Sequence, residues 1–455
     1  MQSRILGSAA EAATTMLAAI ATLLAVLAID PEPGPAILAV VLSISLSRSQ
    51  LDRNARERLE AALALPLVAL VAAGVGMLLH RWPWVGALVF TAGLSLSIWL
   101  RRFGPLAGRA GSLIALPFVT LLVVPYLPAT KVGPGLALLM PVIVALLALA
   151  SVSVMHAFAR RARILAPATR AADAPPREKT ESTLRPDAAT RRAIQMAVAI
   201  SASFVVGYVF FAERWSWIVL TAFIVQTGSR GRLDVAYKSV LRVLGATGGT
   251  ATALAFTLHF GGRDAATVSL ILACVFLGLW LRPLGYAWWA LFVTIALALL
   301  QGFTGAAEQP VLGQRLEEIA IGALIGVAAA WYVLPIRSTA VLRRRIADAL
   351  AALSEALDPA KADRTSEAFV AALARTEQLA PAFRASRVVT KSFRRIHPAD
   401  WIDALAACRA PAVALIEAGE TPGAARKAVG AARRAVREPT QLLAALRELR
   451  TALRG

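Results

Sequence analysis

Little in this chain suits catalysis or metal binding. Its 455 residues include two cysteines, Cys274 and Cys408, and four histidines, His80, His156, His259 and His397. One cysteine falls inside an apolar run and the other in a charged C-terminal region, so neither a disulfide framework nor a thiolate metal site is expected. The histidines show no HExxH or paired-ligand spacing. A glycine-rich phosphate loop closed by Lys-Ser or Lys-Thr is absent, which argues against intrinsic ATP hydrolysis. With no histidine or acid cluster to support an enzyme, no cofactor and no metal are expected. Charge is also scarce, at 17% of residues, against roughly 25% in soluble proteins. It is mostly of one sign, 48 Lys and Arg against 28 Asp and Glu, a formal net charge of +20. Because no basic stripe with interleaved aromatics accompanies that charge, nucleic acid is not an expected partner.

Apolar length is what the chain has in abundance. A helix rises about 1.5 Å per residue, so roughly 20 residues cross a hydrocarbon core of about 30 Å. Runs near that length lie at about 12–29, 34–47, 61–79, 84–100, 112–128, 134–155, 192–211, 215–227, 240–260, 264–280, 286–303 and 316–335. The second and eighth are short for full crossings. The expected fold class is all-α, a polytopic membrane protein. One Arg and no clear cleavage site precede or close the first run, so that run reads as a retained span.

The loops test the count. With the N-terminus inside, inner loops hold Arg48, Arg53, Arg56 and Arg58, then Arg101, Arg102 and Arg109, then Arg160, Arg161 and Arg163, then Arg230, Arg232 and Lys238, then Arg282, then Arg337 and Arg343 to Arg345. Outer loops hold only Arg81, Lys131, Arg214, Arg263 and Arg315. This positive-inside asymmetry implies an even number of spans. Both termini are then cytoplasmic and the basic loops lie against anionic membrane lipids.

Two changes of composition divide the chain. Residues 164–191 are rich in Pro, Ala, Arg, Asp and Glu around Pro175-Pro176 and read as a cytoplasmic linker. After Pro335 the apolar runs stop, and Ala and Leu alternate with charge at helical spacing. Pro359, Pro381, Pro398, Pro411, Pro422 and Pro439 are expected to cut this C-terminal cytoplasmic domain into four or five helices. The organisation is then a first six-helix repeat (1–163), a linker (164–191), a second six-helix repeat (192–335) and a helical domain (336–455). The repeat rests on two matches. Ser47-Arg48-Ser49-Gln50-Leu51-Asp52 aligns with Ser229-Arg230-Gly231-Arg232-Leu233-Asp234, and Trp99-Leu100-Arg101-Arg102-Phe103-Gly104 with Trp280-Leu281-Arg282-Pro283-Leu284-Gly285. Their offsets are nearly equal, and an even number of spans per unit makes the two repeats parallel. The halves differ at position 242, where Arg242 stands opposite Glu60.

The second half resembles the fusaric acid resistance or aromatic acid exporter family of inner-membrane proteins. The motifs are Trp217 to Gln226, then Gly228-Ser229-Arg230, then Arg242-Val243-Leu244-Gly245-Ala246-Thr247-Gly248. The last span adds Arg315-Leu316-Glu317-Glu318, Gly322, Gly326 and Leu334-Pro335. The chain has Gly245-Ala246 where the family commonly has Gly-Thr. The resemblance implies secondary efflux of aromatic or other amphipathic organic acids. Small organic anions would be the ligands, a periplasmic membrane-fusion adaptor a partner and a homodimer an assembly. An anion channel of the malate-channel type and a non-transporting scaffold are the alternatives.

An anion in low dielectric needs cations, amides or helix N-termini. Substrate-binding candidates are Gln226, Arg230, Arg242, Trp217, Trp280 and Arg102, with Lys238, Arg48, Trp288 and Trp289 beside them. Each has a structural alternative: arginines anchor topology, tryptophans form the interfacial belt, and Gln226 can bond across helices. Gly245, Gly248 and Gly249 are expected to permit close helix packing. Glu317 and Glu318 are the proton-coupling candidates among carboxylates that all lie near span ends.

Overall fold

The computed structural model describes residues 2–454 other than 51–54, 105–106, 109, 112–113, 116–117, 119–120, 123–133, 166–185, 213, 258–263, 305–308, 362–363, 393–395 and 421. Most of the expected span at 112–128 and of the linker at 164–191 therefore lies outside the described residues, as do Lys131, His259 and Arg263. Among the described residues every regular element is helical. The chain divides into two compact units, one of residues 1–227 and 238–334, the other of 228–237 and 335–455.

The first unit contains α1 (Gln2–Ile29), α2 (Pro33–Gln50), α3 (Ala55–Arg81), α4 (Pro83–Trp99), α5 (Pro134–Arg161), α6 (Ala188–Phe210) and α7 (Trp215–Gln226). It also contains most of α8 (Arg232–Thr257), then α9 (Ala265–Leu281), α10 (Tyr286–Thr304) and α11 (Gln309–Tyr332). Among the described residues seven stretches are long and apolar enough to cross a membrane: Leu6–Ile29, Leu63–Arg81, Pro83–Phe103, Leu139–Arg161, Ala188–Phe210, Ala265–Leu284 and Tyr286–Phe303. The protein is thus an all-helical, multi-pass membrane protein. Four of the other expected spans differ for identifiable reasons. α2 and α7 are apolar but short. α8 and α11 are long enough, but α8 carries Asp234, Lys238 and Arg242 and α11 carries Arg315, Glu317 and Glu318.

Local signals set several boundaries. Asp187 caps α6 by accepting from the Thr190 backbone N–H at 2.8 Å, and Asp264 caps α9 by accepting from that of Thr267 at 2.7 Å. Pro83 opens α4 at a position whose N–H would have no helical partner.

Packing in this unit joins elements distant in sequence. α1 packs on α2 and α5, α2 on α5, and α3 on α4 and α5. α6 packs on α7 and α11, and α7 on α11. Two contacts link the early helices to the later ones, α4 with α6 and α1 with α9. The α4–α6–α7 junction is aromatic. Phe90 lies 5.5 Å from Phe204, which lies 5.2 Å from Trp215, and Trp84 meets Tyr208 edge-on at 5.1 Å. Such pairs add roughly 0.5–1.5 kcal/mol each beyond area burial.

Small residues set the closest approaches. A Cβ on Gly245 would sit 2.6 Å from the Ala290 Cβ and 2.7 Å from the Ala287 carbonyl oxygen. One on Gly249 would sit 2.6 Å from the Leu291 carbonyl oxygen and 2.8 Å from the Thr294 Cβ. Gly248 differs, because its Cβ would meet only the tip of Leu291 at 3.4 Å. On α11, Gly322 and Gly326 bring α7 within 2.5 Å of a Cβ at either position, the close backbone approach of a GxxxG face.

The second unit is a helical assembly of α12 (Ser338–Ala356), α13 (Glu367–Glu377), α14 (Ala380–Thr390), α15 (Pro398–Ala406), α16 (Arg409–Glu417), α17 (Gly423–Ala435) and α18 (Pro439–Ala452). Among its described residues there are seven helices where the proline count implies four or five. Pro381, Pro398, Pro411 and Pro439 fall within the first three residues of helices, where a missing N–H costs nothing, so they start helices as well as separate them. The core includes Leu342, Ile346, Leu350, Phe369, Ile402 and Leu446, all fully buried. The Cys408 thiol lies in this core, and burial pushes its pKa up to about 11. At its edge Arg387 donates to Asp400 at 2.8 Å and to Asp403 at 3.0 Å, and Arg384 donates to Asp403 at 2.6 Å. Burial works to raise the Asp400 pKa, but hydrogen bonds from Arg387 and the His397 backbone outweigh it and hold the carboxyl below the ordinary Asp value.

Two outcomes follow from this packing. Gly249→Ala should lower stability in detergent by about 1–3 kcal/mol through overpacking against α10, while Gly248→Ala should leave it near the wild-type value. Parallel thermal unfolding of the two variants checks this. The folded-state pKa of Asp400 is depressed, so the stability its pair contributes is complete above the ordinary value of 3.8 and is lost as pH falls through the lower folded value. Asp400→Asn should remove that acid-side loss, read from unfolding at pH 3 to 6.

Candidate functional site

The most charged buried region of the first unit lies among α7, α8, α10 and α11. Arg315 on α11 is 2% exposed. Its guanidinium carbon sits 3.7 Å from the centroid of the Trp217 ring on α7, and its Nη1 donates to the Gln301 Oε1 at 3.2 Å. The remaining Arg315 donors, Nε and Nη2, have no hydrogen-bond partner. Arg242 on α8 is equally buried, and its Nε is also unpartnered. Its charge is close enough to act on both Arg315 and Tyr286, whose buried hydroxyl lacks a partner as well.

One buried carboxylate lies within electrostatic reach of Arg315. Glu318 stands three residues beyond Arg315, one helical turn along α11, and is fully buried. The Arg214 Nε lies 3.3 Å from its Oε1, and Arg214 also donates through Nη1 to Gln314. The Arg214 and Arg315 charges both act on this carboxylate, neither of whose oxygens has a hydrogen-bond partner. Buried guanidinium N–H groups left without acceptors cost on the order of 1–3 kcal/mol each. A cation over a tryptophan face recovers about 2 kcal/mol when desolvated. The balance leaves buried cationic donors without acceptors beside an indole, an arrangement that suits a ligand with a carboxylate and an apolar ring.

The residues expected from sequence are placed as follows. Arg242 and Trp217 lie in this region, with Glu318. Gln226, at the other end of α7, donates its amide to the Gly326 carbonyl at 2.9 Å, tying α7 to α11. Lys238 donates to the Thr227 carbonyl at 2.8 Å. Trp280 is half-buried on α9, where its carbonyl accepts from Ser8 and its ring lies 5.9 Å from Phe276. Arg102 is exposed, lies over the Trp99 and Phe103 rings and reaches Thr190 at 3.4 Å. Glu317 is exposed. Arg230 belongs to the second unit, where it donates to the Gln378 side chain at 2.8 Å.

Arg315, Gln301 and Tyr286 were not among the expected site residues. Arg315 reads in sequence as an outer-loop charge, but it lies inside α11, three residues before a second buried charge. That spacing, in a helix whose next turns are apolar, was the available signal.

Residues 198–329 match the family model described as fusaric acid resistance protein-like. This segment of the chain is fusaric acid resistance protein-like. The match runs from α6 into α11 and takes in Trp217, Gln226, Arg242, Gln301, Arg315 and Glu318, so the fusaric acid resistance protein-like region contains the whole buried charge cluster. No curated protein and no solved structure matches the chain.

Removing Glu318 should expose the imbalance. An exposed ion pair contributes up to about 1 kcal/mol, and breaking a buried one costs about 3–5 kcal/mol. Glu318 is fully buried and the Arg214 side chain is 34% exposed, so Glu318→Gln should cost roughly 1–3 kcal/mol. Combining it with Arg242→Gln should recover part of that loss. A double-mutant cycle by thermal unfolding in detergent tests both statements.

Proposed function

We propose that this protein is a secondary efflux transporter of aromatic or other amphipathic organic acids. A membrane transport role is what the fusaric acid resistance protein-like family suggests, and it is not an enzymatic one. The observation that carries the substrate class is Arg315 over Trp217 with two of its donors unfilled, beside the equally buried Arg242. Two parallel hydrogen bonds from a guanidinium hold a carboxylate, while the indole and surrounding apolar side chains accept a ring.

The six-helix duplication proposed from sequence gains support from the packing. A shift of six spans maps α1, α2 and α5 onto α6, α7 and α11. The pairs α1–α2, α1–α5 and α2–α5 have counterparts in α6–α7, α6–α11 and α7–α11. It also maps the α4–α6 contact onto α9–α1. Two parallel halves that pack on each other through equivalent faces form the frame of an alternating-access transporter. The charge cluster belongs to the second half. By the positive-inside pattern, both termini and the C-terminal helical unit are cytoplasmic, in a bacterial inner membrane.

Transport is proposed to be proton-coupled. Of the two carboxylates expected in that role, Glu318 is buried and paired and Glu317 is exposed, so Glu318 is the one whose protonation would free Arg214. A membrane-fusion adaptor and a homodimer remain proposals from the family resemblance.

The test is flux of benzoate, with malate for comparison, in proteoliposomes with and without an imposed pH gradient. Benzoate should be transported in preference to malate, and faster with the gradient. Arg242→Ala and Arg315→Ala should each lower benzoate flux at least 10-fold with normal protein incorporation. Conductive malate current at fixed voltage, independent of pH, would identify a channel instead. Absence of any flux, with function depending only on residues 336–455, would identify a scaffold.

A further inference from the structure

The first half holds a second buried polar system that neither the family match nor the charge cluster includes. On α5, His156 is 1% exposed and its Nε2 lies 2.7 Å from the Ser47 hydroxyl of α2. That hydroxyl lies 2.7 Å from the Thr15 hydroxyl of α1, which donates to the Glu11 carbonyl at 2.8 Å. Each hydroxyl has one hydrogen to give. Thr15 gives its hydrogen to Glu11, so Ser47 gives its own to Thr15, and His156 must donate to Ser47 through Nε2. In the neutral ring this leaves Nδ1 as a bare lone pair, and Nδ1 is buried without a partner. The reverse order of donation would give up the Thr15 hydroxyl bond to the Glu11 carbonyl and bury an unpaired Nδ1–H, which is less favourable on both counts.

The same helix pair repeats the motif. The Ser43 hydroxyl on α2 donates to Thr22 at 3.0 Å, and Thr22 donates to the Ala18 carbonyl at 2.8 Å. Beyond it, at the end of α1, Asp30 is fully buried and neither carboxyl oxygen has a hydrogen-bond partner. From Thr15 to Asp30 is 15 residues, about 22 Å along a helix, most of a hydrocarbon core of about 30 Å. A purely structural seam would satisfy its own polar atoms, as the hydroxyls here do. The two titratable residues at its ends do not.

We propose that His156 and Asp30 are proton-binding groups at the two ends of a polar seam along α1, separate from Glu318. The inference deepens the proton coupling of the proposed transporter and rests on that reading for its role. A proton arriving at Nδ1 forms one N–H bond and gives the imidazole a single positive charge, and its departure restores the lone pair. The titratable or charged residues on the packed elements are Arg4 and Glu11 on α1, Arg48 on α2, Arg56, Glu57, Arg58, Glu60, His80 and Arg81 on α3, and Arg160 and Arg161 on α5, with Asp264 and Arg282 flanking α9. Among those whose side chains are described, Glu11, His80, Arg81, Arg161 and Asp264 are exposed and Arg160 and Arg282 half-buried, so none of these is a fully buried counter-charge to the imidazole.

The first measurement needs no substrate. With the four histidines 15N-labelled and His156 assigned by its loss in His156→Gln, the ring of the wild-type protein in lipid should show the Nε2–H tautomer at pH 8. It should become doubly protonated as pH falls to about 5. A ring that stays neutral over that range, or that carries its hydrogen on Nδ1 at pH 8, overturns the proposal. The second measurement is benzoate flux. His156→Gln and Asp30→Asn should each abolish acceleration by a pH gradient while keeping benzoate–benzoate exchange within 2-fold of wild type. Full acceleration in both variants overturns the proposal and leaves the transporter reading intact. Loss of exchange in the wild type overturns the transporter reading, and the ring titration still decides the seam.

Discussion

A guanidinium taken out of water constrains everything packed around it. Arg315 is buried in a helix bundle, and its position depends on how closely α7 and α11 approach. Gly322 and Gly326 set that approach, because a Cβ at either would lie 2.5 Å from an atom of α7. The two helices run in the same direction, with Gly322 beside Ile218 and Gly326 beside Val225, so Trp217 falls under Arg315 one to two turns earlier. Gln226 closes the far end by bonding the Gly326 carbonyl. The short length of α7 fits this arrangement. Most of its 12 residues are buried by protein, so it does not need the full reach of a lipid-spanning helix.

Much of this was legible in the sequence, and the part that was not has a common cause. Apolar length alone locates the seven long spans, since hydrocarbon selects for it directly. It also marks runs at 240–260 and 316–335, but α8 and α11 extend beyond those runs to carry charge, Lys238 before the first and Arg315 before the second. Arg315 looked like an outer-loop charge for the same reason: hydropathy ends a span at a charge and cannot tell a charge in water from one covered by neighbours. Arg230 shows the converse. Its Gly-Ser-Arg setting placed it among ligand candidates, yet its partner Gln378 lies 148 residues away, and no local pattern reports such a pairing. The glycines illustrate a finer limit. Gly248 and Gly249 are adjacent, but only Gly249 faces the α10 backbone closely. Helix phase decides this, and composition does not.

The polar interiors of the two halves differ in kind. Around α7, α8 and α11 they are ionic, with guanidinium groups in excess of carboxylate. Around α1, α2 and α5 they are neutral hydroxyls and an imidazole, with one carboxyl at the end. A fixed positive cluster attracts an anion and repels a proton, since like charges in a low-dielectric interior interact strongly. Proton binding is therefore better accommodated away from Arg242 and Arg315. The proposed duplication supplies such a place in the first half, where Glu60 stands opposite Arg242.

Energetics show why an exporter of this kind would use both interiors. A monovalent anion leaving a cell that is negative inside gains about 2.3 kcal/mol per 100 mV, which sustains a gradient of roughly 50-fold. A channel lined by arginines would reach that limit without any proton site. If each outward anion is exchanged for one inward proton, two charges cross per cycle, the gain doubles to about 4.6 kcal/mol, and the limit rises to a few thousand-fold. The buried titratable groups near α1 matter only in the second case. Their incomplete hydrogen bonding costs stability in a channel and has a use in an exchanger, and the proposal of coupled export rests on this asymmetry.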